Sequence, residues 1–253
     1  MPIKLKHWLL SISLLGLNAS ALAAEKVQLL TYYTSPPYAV DSVPAADSYT
    51  QRLAHWLSQW SGGRFEFVPR QVPRLRLDLM LANPEWRGVV AWANPLWFAD
   101  PERQRFLWSA VLMRDRNLRV SRQADKVLFA GGHPLNRARF GGISGHQYEY
   151  LHAAFKSGLL VREDAQNELS NVLKLQHKRV DLILLQESSL PYLRAQLPDF
   201  ARWAYIDPQP QLEFERFLFT SQHNPDLLLF LNQALPHLAQ DPGWVQALQT
   251  PLR

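Results

Sequence analysis

The order of apolar and polar positions predicts strands and helices that alternate along the first hundred residues. Apolar or alternating segments at 26–33, 64–70 and 86–92 are typical of buried and half-buried strands. Apolar side chains recur at helical spacing within 47–63, and the shorter segment 74–84 also favours a helix. Because strand, helix, strand, helix, strand is the order of a parallel sheet covered by helices, this part of the chain is predicted to form an α/β unit.

The same order returns in the second half of the chain. Strands are predicted at 139–144, 159–163 and 180–186. Helices are predicted between them, at 145–158 and 164–179. The pattern therefore predicts a second α/β unit of similar size, and the sequence shows no internal repeat that would indicate a solenoid.

Two extended segments within 105–122 and one at 211–222 flank the second unit on its two sides. Helices are predicted after the later segment, at 225–239 and 243–249. If the chain passes from the first unit to the second and back, these helices complete the first unit. The predicted division is into a lobe 1 of residues 24–112 with 216–253 and a lobe 2 of residues 113–215.

Residues 1–23 have the three zones of a secretory signal peptide: a short basic start, an apolar core and an exit of small residues. The core at 8–17 is shorter than the roughly 20 apolar residues that span a bilayer as a helix. Ala21 and Ala23 fit the small-residue cleavage rule, so the exported chain is expected to begin at Ala24. The sequence predicts a soluble protein of a bacterial periplasm, and an uncleaved anchor helix is the alternative.

Composition limits the chemistry that the chain can carry. The 253 residues include no cysteine, which excludes disulfides, thiolate metal sites and a cysteine nucleophile. The formal net charge is +5, and the arginines are scattered rather than grouped into the basic patch typical of nucleic-acid binding. No G-x-S-x-G elbow, H-E-x-x-H pair or phosphate-binding loop occurs. We therefore expect no nucleic-acid partner, no cofactor, no metal and no enzymatic activity.

Four segments in a fixed order resemble one known family. They are PPYA at 36–39, DPERQRFLWS at 100–109, GGISGHQYEYL at 141–151 and KRVDLILLQE at 178–187. Together they are similar to the periplasmic solute-binding proteins of the type II fold, in particular the amino-acid-binding branch (family 3) of ABC transporter substrate-binding proteins. The resemblance implies an α/β protein of two lobes, each with a central, mostly parallel sheet, joined by two crossing hinge strands.

The resemblance also implies a function. It implies capture of a small polar or zwitterionic solute, such as an amino acid, in a cleft between the lobes, which close around it by a hinge motion. The implied partners are that small molecule and an inner-membrane permease, and the binding protein is expected to be a monomer. An orphan relative that acts in sensing or interaction is a second hypothesis, and a hydrolase with an unrecognised site is a third.

Candidate ligand-binding residues of the first unit follow its strand ends, because ligands of open α/β sheets bind beyond the carboxyl ends of the strands. Prolines stiffen the loop after the first strand, and aromatic rings offer flat apolar walls with polar tips. The candidates are Tyr33, Thr34, Tyr38, Trp92, Asn94 and Trp97. The resemblance adds Arg103, which matches the family's carboxylate-binding arginine and whose guanidinium can donate two parallel hydrogen bonds. Tyrosines packed on the lobe surface and an arginine exposed to solvent are the alternatives.

Candidates of the second unit are of two kinds. The first kind lies where a helix is predicted to begin and consists of Ser144, His146 and Gln147. The free backbone N–H groups of a helix start, together with these side chains, form a candidate anion site. The alternative is that His146 is an exposed loop histidine without a function. Gln186 occupies the position where the family often has an acid for the ligand's α-amino group, and Glu187 follows one residue later. Because alternate strand residues point in opposite directions, these two side chains cannot exchange roles. The chain therefore departs here from the family pattern.

Overall fold

The computed structural model of the protein describes residues 23–40, 48–126 and 137–249. Residues 1–22 of the predicted signal peptide lie outside these ranges, so export and cleavage stay predictions. Within the described ranges, no helix is both long enough and apolar enough to cross a bilayer.

The described ranges contain nine strands and eight α-helices. The strands are β1 (Glu25–Thr31), β2 (Phe65–Gln71), β3 (Val89–Ala93), β4 (Leu107–Arg122), β5 (Ala138–Ile143), β6 (Leu160–Ala165), β7 (Leu182–Gln186), β8 (Ala204–Ile206) and β9 (Leu212–Thr220). The helices are α1 (Tyr49–Trp60), α2 (Arg74–Leu81), α3 (His152–Lys156), α4 (Glu168–Gln176), α5 (Leu190–Gln196), α6 (Phe200–Trp203), α7 (Pro225–Leu238) and α8 (Pro242–Gln249).

The strands pair along one path in the order β2-β1-β3-β9-β4-β7-β5-β6, with β8 paired to β4. At each end of the path the strands are parallel: β1 pairs with β2 and β3, and β5 pairs with β6 and β7. In the middle of the path, β4 and β9 run antiparallel to each other. Strand β4 is also antiparallel to its other neighbour β7, and β9 is antiparallel to its other neighbour β3. Two parallel α/β units are therefore joined by two long crossing strands, which confirms the predicted fold class.

The hydrophobic core is divided in the same way. Residues of β1, β2, β3 and α1 pack in one cluster with Leu231 of α7 and Trp244 of α8. A second cluster forms around β7 and includes Val172 of α4 and Phe200 of α6. The two carboxy-terminal helices thus pack on the first unit, while the residues at which each lobe begins and ends stay a prediction.

Local sequence explains where α1 begins and which face it buries. The Ser48 hydroxyl accepts the N–H of Gln51, and the Gln51 side chain accepts the N–H of Ser48, which is a reciprocal capping box. Leu53 and Leu57, one turn apart, are fully buried. The cap fixes the start of the helix, and the leucines hold it against the first sheet.

The structure differs from the predicted elements in three places. The helix predicted from residue 145 has its first helical turn at Glu149, because Gly145 has φ of 82° and the His146 N–H donates to the Ile143 carbonyl in a turn. The segment 105–122 forms one strand, β4, rather than two extended segments. Elements α5, α6 and β8 are absent from the prediction because they are shorter than the window over which periodicity is detected.

Candidate functional site

A cleft lies where the two parallel units meet, beyond the carboxyl ends of β1, β5 and β7. Its aromatic lining comes from both units and consists of Tyr32, Tyr33, Trp97, Tyr148 and Tyr150. The cavity volume of the cleft is only about 50 Å³. Since one ordered water needs about 10–15 Å³, this space holds a few waters at most. A solute of amino-acid size therefore requires the lobes to open before it can enter.

The loop after β1 closes the cleft by contacting the second unit. The Thr34 hydroxyl donates to the Gln166 carbonyl (3.2 Å). The Ser35 hydroxyl accepts a hydrogen bond from the N–H of Glu168 (3.4 Å). Polar groups of one short loop thus bridge to the start of α4 on the opposite side of the cleft.

Behind the cleft wall, a fully buried ion pair joins the two crossing strands. Arg216 of β9 donates from Nε and Nη2 to one carboxylate oxygen of Asp115 in β4, at 3.0 and 2.8 Å. Its Nη1 donates to the Tyr33 hydroxyl (2.7 Å) and to the Trp92 carbonyl (3.0 Å). The guanidinium carbon also lies 4.6 Å from the centroid of the Tyr38 ring, within range of a cation–π contact. The hinge strands are therefore tied to each other and to the cleft wall.

Asp115 is the centre of contacts that reach both units. Besides Arg216, its carboxylate accepts hydrogen bonds from the Tyr38 hydroxyl (3.0 Å) and from the Ser188 hydroxyl (2.7 Å). Burial raises the pKa of Tyr38 well above its usual range, so this phenol is a neutral donor. The charge on Asp115 can stay buried because donors from the first unit, the second unit and the hinge all satisfy it.

One arginine reaches the cleft from the start of α2. Arg74 donates from Nε to both carboxylate oxygens of Asp78 (2.9 and 3.2 Å) and from Nη2 to the Trp97 carbonyl (2.5 Å). Its guanidinium carbon lies 4.2 Å from the centroid of the Phe98 ring. The charge of Arg74 is thus balanced by a carboxylate of its own helix and by a carbonyl of the cleft wall.

His146 packs between the lobes as a neutral ring. Its imidazole makes edge-to-face contacts with Tyr32 and Tyr33, at centroid distances of 6.2 and 5.9 Å. Burial lowers the pKa of His146 to about 4, and the nearby charges of Arg74 and Arg162 act in the same direction. At neutral pH the ring therefore carries no charge.

Two acceptor groups face the cleft from the second unit. Glu168, the first residue of α4, forms no ion pair with any described residue. Burial raises the pKa of its carboxyl to about 7, against the lowering effect of the Ser189 hydroxyl and the Gln186 backbone. The Oε1 atom of Gln186, at the end of β7, is buried without a hydrogen-bond partner. Because an unsatisfied buried acceptor costs about 1–3 kcal/mol, a donor placed there would stabilise the closed cleft.

The structure brings together about half of the predicted site residues. Those that line the cleft or lie at its edge are Tyr33, Thr34, Trp97, His146, Gln147 and Gln186.

The other candidates of the first unit are engaged elsewhere. Tyr38 and Trp92 are buried in the core, and the Trp92 indole donates to the Thr50 hydroxyl (2.8 Å). Asn94 donates from its side chain to the Glu215 carbonyl (2.9 Å). These three side chains have structural partners and do not line the cleft.

Two candidates of the second unit also lie away from the cleft. The side chain of Ser144 is exposed and its N–H donates to the Ala165 carbonyl (3.0 Å), so this amide is not free for an anion. Glu187 forms a bidentate ion pair with Arg116 of β4, in a separate depression on the hinge. The alternation at the end of β7 thus directs Gln186 and Glu187 to different surroundings.

Several cleft residues are not among the predicted candidates: Tyr32, Arg74, Asn117, Tyr148, Tyr150 and Glu168. Arg74 and Glu168 each begin a helix shortly after a parallel strand ends. The strand-end rule, applied to the connections after β2 and β6 as well as to those after β1, β3, β5 and β7, would have included both.

Arg103 lies outside the cleft. Its side chain is exposed, and its guanidinium carbon lies 4.4 Å from the centroid of the Phe217 ring. The segment around it is shaped by Asp100, whose carboxylate accepts hydrogen bonds from the Gln104 N–H and the Trp108 indole, both at 2.7 Å. The motif at 100–109 thus has a structural role that requires no ligand, and the predicted carboxylate contact of Arg103 gains no support from this geometry.

Asp100→Asn is expected to lower the free energy of unfolding by about 1–3 kcal/mol, because a charged acceptor of four hydrogen bonds becomes a neutral amide. Burial opposes ionisation of Asp100, but hydrogen bonds from Trp108 and the backbone lower its pKa. The contribution is therefore present near neutral pH and lost as the pH falls through the folded-state pKa. Urea denaturation measures the effect, with the exposed Glu102→Gln as the control. Equal midpoints for the two variants would contradict the prediction.

No family model matches the chain, and no curated protein matches it by sequence. Solved structures match it in fold. An ancestral arginine-binding protein bound to arginine gives a TM-score of 0.69 at 14% identity, covering 90% of this chain and 98% of that one. The GluR0 ligand-binding core from Nostoc punctiforme in complex with L-glutamate gives 0.65 at 14% identity, over 88% and 96%. An ancestral amino-acid-binding protein, a precursor of cyclohexadienyl dehydratase, gives 0.65 at 13% identity, over 90% and 96%.

The chain has the two-lobed fold of the type II periplasmic binding proteins. Identities of 13 and 14% establish the fold and nothing finer. The nature of the solute therefore has to be inferred from the side chains of the cleft.

Proposed function

We propose that the protein captures a small polar solute in the cleft between its lobes by hinge closure. The observation that carries this proposal is the cleft itself, where strand ends of both units bring charged, amide and aromatic side chains to one nearly closed space. Apolar walls with a few polar groups are typical of small-molecule sites. Because each unit supplies only part of the lining, solute binding and lobe closure are coupled.

A more specific form of the proposal is that the protein captures its solute for uptake into the cell. The proteins of similar fold include one bound to arginine and one in complex with L-glutamate. By analogy, this chain is exported to the periplasm, acts as a monomer and delivers an amino-acid-like solute to an inner-membrane permease. A sensing or interaction protein would use the same cleft without the permease.

Solute capture is expected to stabilise the protein against heat. At a solute concentration of one hundred times the Kd, linkage gives about 2.7 kcal/mol of added stability. Candidate solutes are identified by mass spectrometry of small molecules released when gently purified protein is denatured. Each is then added back in thermal melts, together with a panel of amino acids, polyamines and small carboxylates. If no released or added compound raises the Tm, the proposal fails.

Catalysis in the same cleft is a second candidate function, and Glu168 is the observation that favours it. A carboxyl with a pKa of about 7 is partly protonated at neutral pH, which suits a general acid. NMR of a bound solute over time separates the two functions, because capture leaves the solute unchanged. A Glu168→Gln variant that binds the solute without converting it would assign the acid.

A further inference from the structure

The closed cleft contains hydrogen-bond acceptors that no cation of the described chain satisfies. Glu168 forms no ion pair within the described ranges, and Oε1 of Gln186 is buried without a partner. Both residues line the main cleft, and both also line the smaller cavity that adjoins it under Ser35. The two residues therefore lie side by side along one shared space.

The arginines nearest to that space are already engaged. Arg74 is held by Asp78 and by a cleft-wall carbonyl. Arg216 is held by Asp115. Arg103, the predicted carboxylate clamp, is exposed on another surface. A solute carboxylate would have to compete with existing partners, whereas a solute ammonium group meets a carboxylate without a cationic partner among the described residues and an amide oxygen without a donor.

The walls of the space suit a cation as well. The rings of Tyr32, Tyr33 and Tyr148 line it, and aromatic faces attract positive charge. His146 adds a further ring without adding charge, because burial lowers its pKa to about 4. The cleft is therefore lined by acceptors from the second unit and by aromatic rings from both units.

We propose that the cleft selects its solute by a primary ammonium group held between Glu168 and Gln186, and that it requires no carboxylate on the solute. An ammonium group offers three donors, enough for the Glu168 carboxylate and the Gln186 Oε1 together. Aliphatic amines and diamines are the corresponding class. The inference rests on the proposed solute capture and adds its selectivity.

Lysine and cadaverine form a matched pair that tests the proposal, because they share the carbon chain and two ammonium groups and differ only by the α-carboxylate. Calorimetric titration of the full chain at pH 8 is expected to show cadaverine binding at least as tightly as lysine, with hexanoate not binding. Lysine binding more than tenfold tighter than cadaverine would overturn the inference and leave solute capture intact. If neither lysine nor cadaverine binds, the ammonium inference is also overturned. Solute capture is then tested separately, with the compounds that are released from the denatured protein.

The Glu168→Gln variant removes the charge and keeps the shape of the side chain. Cadaverine affinity is expected to fall about 10- to 100-fold, because a charge-assisted contact is lost. The control is Glu163→Gln, which removes the same charge from an exposed position in β6 and is expected to change the affinity less than twofold. Equal affinities of the Glu168→Gln variant and the wild type, with unchanged melting curves, would overturn the proposal.

The pH dependence gives an independent measurement. Cation binding requires ionised Glu168, whose pKa is raised to about 7 by burial, so the affinity is expected to fall as the pH drops from 8 to 6. His146, with a pKa near 4, does not titrate in this range. The other charged groups that act on Glu168 are Asp115 and Arg216, which remain paired with each other. The same pH slope in Glu168→Gln as in the wild type would contradict the assignment.

Discussion

Asp115→Asn is expected to lower the free energy of unfolding by about 3–5 kcal/mol. The variant leaves Arg216 charged and fully buried with no anionic partner, because its remaining acceptors are the Tyr33 hydroxyl, the Trp92 carbonyl and the new amide oxygen, all uncharged. An uncompensated buried charge is among the costliest changes in a protein interior. Urea denaturation followed by circular dichroism measures the loss.

A matched control lies on the same two strands. Arg114 of β4 and Glu215 of β9 form an ion pair at 3.3 Å that is exposed to solvent, so Glu215→Gln is expected to cost less than about 1 kcal/mol. The double variant Asp115→Leu with Arg216→Met is expected to recover much of the loss, because no charge then remains buried. If Asp115→Asn costs no more than Glu215→Gln, the buried pair does not hold the hinge together.

The same pair connects stability to lobe closure. Asp115 accepts hydrogen bonds from Tyr38 of the first unit and Ser188 of the second, while Arg216 donates to Tyr33 in the cleft wall. A change at the hinge therefore alters the cleft as well as the free energy of unfolding. For this reason, variants of the pair are unsuitable as tests of solute contacts, and the cleft variants of Glu168 and Trp97 are preferable.

Much of the fold follows from periodicity. Strands β1 and β3 and helices α1 and α7 are long or strongly patterned, so their types can be predicted without knowledge of tertiary contacts. Helix α3 shows where this fails: the sequence after β5 has helical composition, but Gly145 and a tight turn delay the helix. Local backbone conformation, rather than residue pattern, decides that boundary.

The buried ion pair between Asp115 and Arg216 can be predicted from the sequence only in part. Alternation along β9 puts Arg216 on the same face as Phe214 and Leu218, which indicates burial. Its partner Asp115 lies 101 residues earlier, and their contact depends on the register between two long strands. The burial is predictable from one strand, whereas the pairing is not.

Motif positions predict which loops reach the cleft but not where each side chain points. Trp97 and Gln186 line the cleft, whereas the nearby candidates Trp92 and Glu187 do not. At Trp92 the backbone adopts φ of 65°, and its indole lies in the core against Thr50. A left-handed residue at a strand end breaks the alternation on which the sequence prediction depends.

Trp92→Ala is therefore expected to change mainly stability, and Trp97→Ala is expected to change mainly solute binding. Trp92 is fully buried, and its ring centroid lies 4.8 Å from that of Tyr38, so its truncation leaves a cavity that costs about 3–5 kcal/mol. Trp97 is partly exposed at the cleft, so Trp97→Ala is expected to cost about 1–2 kcal/mol. Its main effect is expected on solute affinity, because a flat wall of the closed site is lost.

Thermal melts and solute titrations of the two variants separate these effects. Trp92→Ala is expected to lower the Tm strongly and, at temperatures where the variant is still folded, to retain binding. Trp97→Ala is expected to retain most of its Tm and to bind the solute more weakly. A Trp92→Ala variant with an unchanged Tm and lost binding would mean that the indole contacts the solute. The core position of Trp92, and with it the structural explanation of the strand end at β3, would then be wrong.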